Sequence, residues 1–94
     1  MSGIERQDTE SKGSYTLHEP GGAVATLTFS KAGATMIILD STEVPDAFRG
    51  QGVGVSLVTR AVEDARTAGL KIIPLCPFAA AQFKRHPEWA DVLK

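Results

Sequence analysis

Hydrophobic residues recur along this chain with two different periods, and the change of period divides it into elements. Residues 1–13 show no apolar periodicity and are expected to be frayed or to lead into a strand. Residues 14–19 alternate enough for a first strand, with Tyr15 and Leu17 on one face. Pro20-Gly21-Gly22 marks a turn. Ala23, Ala25, Leu27 and Phe29 then alternate with Val24, Thr26, Thr28 and Ser30, the pattern of a strand with one core face. Residues 31–34 supply a short hairpin connection. Residues 35–44 read as a longer third strand, whose apolar start, Met36-Ile37-Ile38-Leu39, predicts burial on both faces.

Pro45 and Asp46 end that strand, and the period becomes helical. Val53, Leu57, Val58, Ala61, Val62 and Ala65 fall on one helix face, with Arg60, Glu63, Asp64 and Arg66 opposite. Gly69 is placed to end the helix. Residues 71–75 form a short strand, and the strand-helix-strand order predicts a right-handed parallel crossover. Pro74 makes that strand an edge, or locally unpaired. Residues 77–85 form a second helix with Pro77 in its first turn, and Pro87 ends it, leaving residues 88–94 as a terminal turn. The expected fold class is α+β, in the order β-β-β-α-β-α. An antiparallel β-meander leads into one parallel β-α-β crossover, followed by a C-terminal helix. Residues 1–94 read as one domain, without internal repeat or linker.

Composition narrows the function without naming it. A 43% hydrophobic and 22% charged chain is ordinary for a globular domain, and a net charge of -1 gives no reason to expect nucleic acid or an anionic membrane as partner. No apolar run approaches the roughly 20 residues that span a bilayer. The polar start, MSGIERQDTESKGS, lacks the core of an export signal, so a cytoplasmic location is expected. Cys76 is the single cysteine, which excludes an intramolecular disulfide and suits a reducing compartment. With His18 and His86 far apart in sequence, no metal site is expected.

The candidate chemistry lies between the third strand and the first helix, in Phe48-Arg49-Gly50-Gln51-Gly52-Val53-Gly54. The first amides of a helix lack intrahelical acceptors, and the helix dipole places partial positive charge beside them. Gly50, Gly52 and Gly54 would let a diphosphate approach those amides without Cβ clashes, and Arg49 could add a charge-assisted contact. The alternative is that these glycines serve a tight turn and close packing alone. Neither common nucleotide motif fits. Gly54 is followed by Val55-Ser56 where a Walker loop needs Lys-Ser/Thr, and Leu57 stands where a dinucleotide fingerprint needs its last glycine.

Arg49-x-x-Gly52-x-Gly54 resembles the acetyl-CoA signature of the GNAT acetyltransferase superfamily. With T-E-V-P-D-A-F-R-G-Q-G-V-G and L-C-P-F-A-A-A-Q-F-K-R-H-P-E-W, the chain resembles the small, single-domain GNAT-like N-acetyltransferases over roughly residues 14–93. That resemblance implies a minimal GNAT-like fold in which the strands flanking the loop splay apart to admit the pantetheine arm of acetyl-CoA. It implies that Gln51, Gly52, Val53 and Gly54 offer amides to the diphosphate, with Arg49 and Gly50 beside them. Glu43, Val44 and Pro45 would run along the pantetheine, and Thr42 would bond to it or to the acceptor. Cys76 becomes a proposed catalytic residue, as proton donor to the departing CoA thiolate or as nucleophile, and Glu43 the candidate general base. Many relatives carry His-Thr-Glu where this chain has Ser41-Thr42-Glu43, so a histidine-dependent step would fail here. The leading expectation is an acetyl-CoA-dependent N-acetyltransferase acting on a primary amine by direct attack. The partners are then coenzyme A and an amine acceptor, and the protein is a monomer or weak homodimer. The alternatives are a CoA or acyl-CoA binding module with little catalysis, and an interaction domain on the same scaffold. His86 and Trp89 are expected to cap and anchor the C-terminal turn.

Overall fold

The computed structural model describes residues 3–94. Five strands form one sheet in the order of the chain: β1 (Ile4–Asp8), β2 (Lys12–His18), β3 (Val24–Ala32), β4 (Met36–Glu43) and β5 (Lys71–Pro74). The first four are antiparallel, and β5 joins β4 in parallel through helix α1 (Val53–Ala68). Helix α2 (Pro77–Arg85) follows β5, and 3-10 turns at Asp46–Phe48 and Pro87–Asp91 flank the helical part. The α+β meander, the parallel crossover and the C-terminal helix all stand as the hydrophobic pattern predicts.

Register shows why the strands share a core. Tyr15 lies opposite Leu27, Leu17 opposite Ala25, Phe29 opposite Leu39, and Ile37 opposite Ile72, so all of these buried side chains leave the same face. Leu57, Val58, Ala61, Val62 and Ala65 of α1 pack down on them with Ala79 and Phe83 of α2. The two helices run side by side. Phe78 at the start of α2 meets Gly54 at the start of α1, while Arg66 near the end of α1 holds Asp91 just beyond α2 through bonds of 2.7 and 2.8 Å. Both helices therefore cover one face of the sheet.

Two expectations need correction. The segment 1–13 contains a strand, β1, so the order is β-β-β-β-α-β-α. Its lack of apolar alternation has a physical cause. Arg6 takes the core-facing position opposite Tyr15, with its guanidinium 5.5 Å from the Tyr15 ring centroid and 5.2 Å from that of Phe29. Burial of β4 on both faces also fails: Ile37 and Leu39 are buried, but Ile38, pointing away from the helices, is only half-buried. The expected edge position of β5 holds: it is the last strand of the sheet, and a short segment of the C-terminus runs along its outer side. Ile72 forms a parallel bridge to Leu93, with Ile72 N–H donating to the Val92 carbonyl at 2.6 Å.

Candidate functional site

The site begins where β4 and β5 separate. Their parallel pairing ends at Leu39 opposite Pro74, while β4 continues to Glu43 without a β5 partner. Pro74 has no N–H to carry the ladder further, which is why its place at the end of β5 fits the parting. One more main-chain bond, Cys76 N–H to the Leu39 carbonyl at 2.9 Å, pins the start of α2 to β4.

A bulge in β4 decides which side chains face this gap. Thr28 pairs with Ser41 but Phe29 pairs with Leu39, leaving Asp40 as the extra residue. The parity of β4 changes there, so Thr42, opposite Leu27, shares the helix-side face with Leu39. Thr42 Oγ1 lies 3.4 Å from Cys76 Sγ. Ser41 and Glu43 turn to the other face. The Ser41 hydroxyl is 2.7 Å from that of Thr28, and Glu43 is exposed opposite Thr26. The two expected catalytic residues, Glu43 and Cys76, thus lie on opposite sides of β4.

Cys76 is buried and occupies the N-cap of α2. Burial pushes its thiol up, but the Thr42 hydroxyl and the nearby amides of Phe78 and Ala79 outweigh that and hold it below the usual thiol range.

The glycine loop forms the other end of the site. The Gln51 amide donates to the Phe48 carbonyl at 3.1 Å, so it is committed to the turn. The amides of Gly52, Val53, Gly54 and Val55 have no main-chain acceptor, and the first bond of α1 is Ser56 N–H to the Gly52 carbonyl at 3.0 Å. The free set therefore runs one residue later than expected, with Gln51 out and Val55 in. Gly50 and Gly52 have φ of 79° and 67°, the left-handed conformation that lets the chain turn into the helix. Gly54 is a glycine for another reason: a Cβ there would lie 2.7 Å from the Phe78 ring. Arg49 is exposed and pairs weakly with Asp46 at 3.4 Å, beside the loop.

A groove of about 220 Å³ lies at the loop end, lined by Val44, Phe48, Phe78 and the loop residues Arg49, Gly50, Gly52, Val53, Gly54 and Val55. Two residues back along its walls, from Val44 and from Phe78, stand Thr42 and Cys76. Free amides thus stand beside apolar walls, and Thr42 and Cys76 lie beyond the groove's own lining. Within the groove, a phosphate and an alkyl chain would meet suitable surroundings. A larger hollow of about 310 Å³, lined by Ile4, Val55, Ser56, Thr59, Arg60 and Glu63, includes none of the loop glycines and, like the groove, neither Thr42 nor Cys76.

Phe78 and Val55 are the site residues that sequence reasoning missed. The signal for Phe78 was its place two residues after the only cysteine, but nothing local showed that its ring reaches Gly54. His86 and Trp89 sit apart from the groove as C-terminal anchors. Their rings stack at 4.1 Å, and Trp89 meets Phe83 edge-on at 5.3 Å. Among the described residues no group of three or more His, Cys, Asp or Glu side chains is arranged to hold a metal, and no helix is long and apolar enough to cross a membrane.

Comparison with known proteins gives this geometry a context. The family model of GCN5-related N-acetyl-transferases matches residues 14–92. Among solved structures, the chain is similar to a GCN5-like protein from Staphylococcus aureus determined by NMR in solution. The identity is 34% and the TM-score 0.73, over 100% of this chain and 91% of that one. No curated protein matches the chain.

Proposed function

Because the chain belongs to the GCN5-related N-acetyltransferase family, we propose that it transfers the acetyl group of acetyl-CoA to a primary amine by direct attack. The observation that carries this reading is the pairing of unbonded amides at residues 52–55 with a Thr42–Cys76 contact where β4 and β5 part. The amides and the α1 dipole suit a diphosphate, with Arg49 as a mobile cation at its edge. Val44 and Phe78 suit the pantetheine arm, whose amides can add main-chain bonds to the unpaired stretch of β4. Gly50 and Gly52 make the turn that presents the amides, and Val53 and Gly54 supply them.

The chemistry follows from which residues border the gap. Direct transfer needs a neutral amine, a stabilised tetrahedral oxyanion and a proton for the departing thiolate. Cys76, buried and held below the usual thiol range, is the proton donor. Glu43 lies on the far side of β4 and is exposed, so it serves the incoming amine, directly or through water. Acid and base on opposite sides of one strand match a reaction in which nucleophile and leaving group occupy different sides of the reacting carbon. Ser41 faces the Glu43 side and cannot act as a base near neutral pH, so no histidine-type step is assigned there.

The test is release of free CoA from acetyl-CoA in the presence of a panel of primary amines. Wild type should release CoA with at least one amine. Cys76→Ser should lower kcat by roughly a hundredfold, the usual contribution of a positioned general acid. Glu43→Gln should lower it through the neutral range, where the amine arrives protonated, and matter least at alkaline pH, where the amine is already neutral. Wild-type activity that survives both substitutions unchanged would overturn these roles.

A further inference from the structure

The bulge at Asp40 has a chemical consequence beyond shape. In an unbroken strand Ser41, not Thr42, would share the face of Leu39. The extra residue brings Thr42 to that face, directly against Cys76. Cys76 is then tied to β4 on both sides of the bulge, by its main chain to Leu39 at 2.9 Å and by its side chain to Thr42 at 3.4 Å. Among the described residues, Thr42 is the only side chain hydrogen-bonded to that sulfur. The hydroxyl sits on a β-branched side chain with few rotamers, so it is held in place at little further entropic cost. The α2 amides approach the sulfur from the helix side, and Thr42 supplies a donor from the strand side.

Resting on the acetyl-transfer reading above, we propose that Thr42 is a positioning residue whose hydroxyl aims the Cys76 thiol into the gap and stabilises the thiolate it becomes. When the tetrahedral intermediate collapses, the carbon–sulfur bond breaks and its electron pair goes to the CoA sulfur. The Cys76 proton forms the new S–H bond on that sulfur. Cys76 is left as a thiolate accepting the Thr42 O–H, and the proton lost from the acetylated nitrogen returns to it through solvent. Protons and electrons balance, and no further reagent is needed. This assignment differs from a pantetheine-binding role for Thr42, because it places the effect on the proton and not on affinity.

The only cysteine in the chain makes the test clean. Thiolate absorbance is titrated across the alkaline range for wild type, Thr42→Val and Thr42→Ser, with Cys76→Ser as the blank for tyrosine. Thr42→Val should raise the thiol ionisation by about one pH unit, the size expected for losing one hydrogen bond to a buried anion. Thr42→Ser should restore most of it. In turnover, Thr42→Val should lower kcat while leaving the KM for acetyl-CoA unchanged. A Thr42→Val titration that matches wild type, or a raised KM with unchanged kcat, would overturn the positioning role. Failure of wild type to release CoA with any amine would overturn the acetyl-transfer reading instead, and is seen separately from the titration.

Discussion

Gly52 and Gly54 occupy equivalent places in one alternating motif, yet the structure gives them different tasks. Gly52 has φ of 67° with open space where a side chain would be, whereas Gly54 lies inside α1 against the Phe78 ring. Gly52 answers to backbone conformation and Gly54 to packing between the two helices. Gly54→Ala should therefore force Phe78 aside. Because the Phe78 ring is part-exposed and the contact is at its tip, the expected cost is about 1 kcal/mol of stability, the low end for overpacking, with a several-fold loss of CoA affinity. Urea melting and CoA titration of this variant check it, and adding Phe78→Ala should return part of the stability by clearing the clash. A Gly54→Ala protein as stable as wild type would contradict the packing account. The glycine spacing was legible in the sequence because loop and helix are contiguous there. The Phe78 contact was not, because it joins residues that only the tertiary fold brings together. Thr42 and Cys76 were hidden twice over, since their meeting also needs a bulge that no alternation pattern announces.

At the scale of elements, the strands and helices with apolar periods were all foreseen, and β1 was not. The reason is Arg6, which packs its stem and guanidinium where a pattern reading expects an aliphatic residue. Around it Asp8 accepts two bonds at 2.8 and 3.0 Å, and Asp64 of α1 accepts from Arg6 at 3.1 Å and from the buried Tyr15 hydroxyl at 2.8 Å. This cluster ties the outermost strand to the central helix. It also predicts a pH dependence. The Arg6 bond holds the Asp8 carboxyl down at about 2, against an ordinary 3.8, with Lys31 adding to the effect. As pH falls from about 4 toward 2, the unfolded chain takes up the Asp8 proton before the folded one does, so stability must fall with pH across that window. Both side chains are partly exposed, so the contribution is screened and modest. Urea midpoints measured through that range should fall less steeply for Asp8→Asn than for wild type. Equal slopes would show that Arg6 does not hold this carboxylate.

On the scale of the whole molecule, the arrangement is asymmetric. Both helices and the buried core lie on one face of the sheet, and the groove opens where the loop, the end of β4 and the start of α2 converge. The opposite face carries Thr16, Thr26, Thr28, Ser30 and Ser41, with half-buried Ile38 and Ile73 side by side among them. The strict alternation in β3 already said which of its faces is buried. The one-sided layering was harder to see in β4, whose apolar start resembles a doubly buried strand. At the far end the Arg66–Asp91 pair and the Leu93 bridge hold the C-terminal segment against α1 and β5.

The central claim is that the free amides of the glycine loop receive the diphosphate of acetyl-CoA. Its most direct test is calorimetric titration of CoA and acetyl-CoA into wild type, Gly52→Asn and Gly52→Glu. Asparagine tolerates the left-handed conformation at this position and adds no charge. Glutamate places a carboxylate where the diphosphate would sit. Wild type should bind both ligands one to one, Gly52→Asn should keep most of that affinity, and folded Gly52→Glu should lose it. Absence of binding by folded wild type, or binding that Gly52→Glu retains in full, would contradict the account.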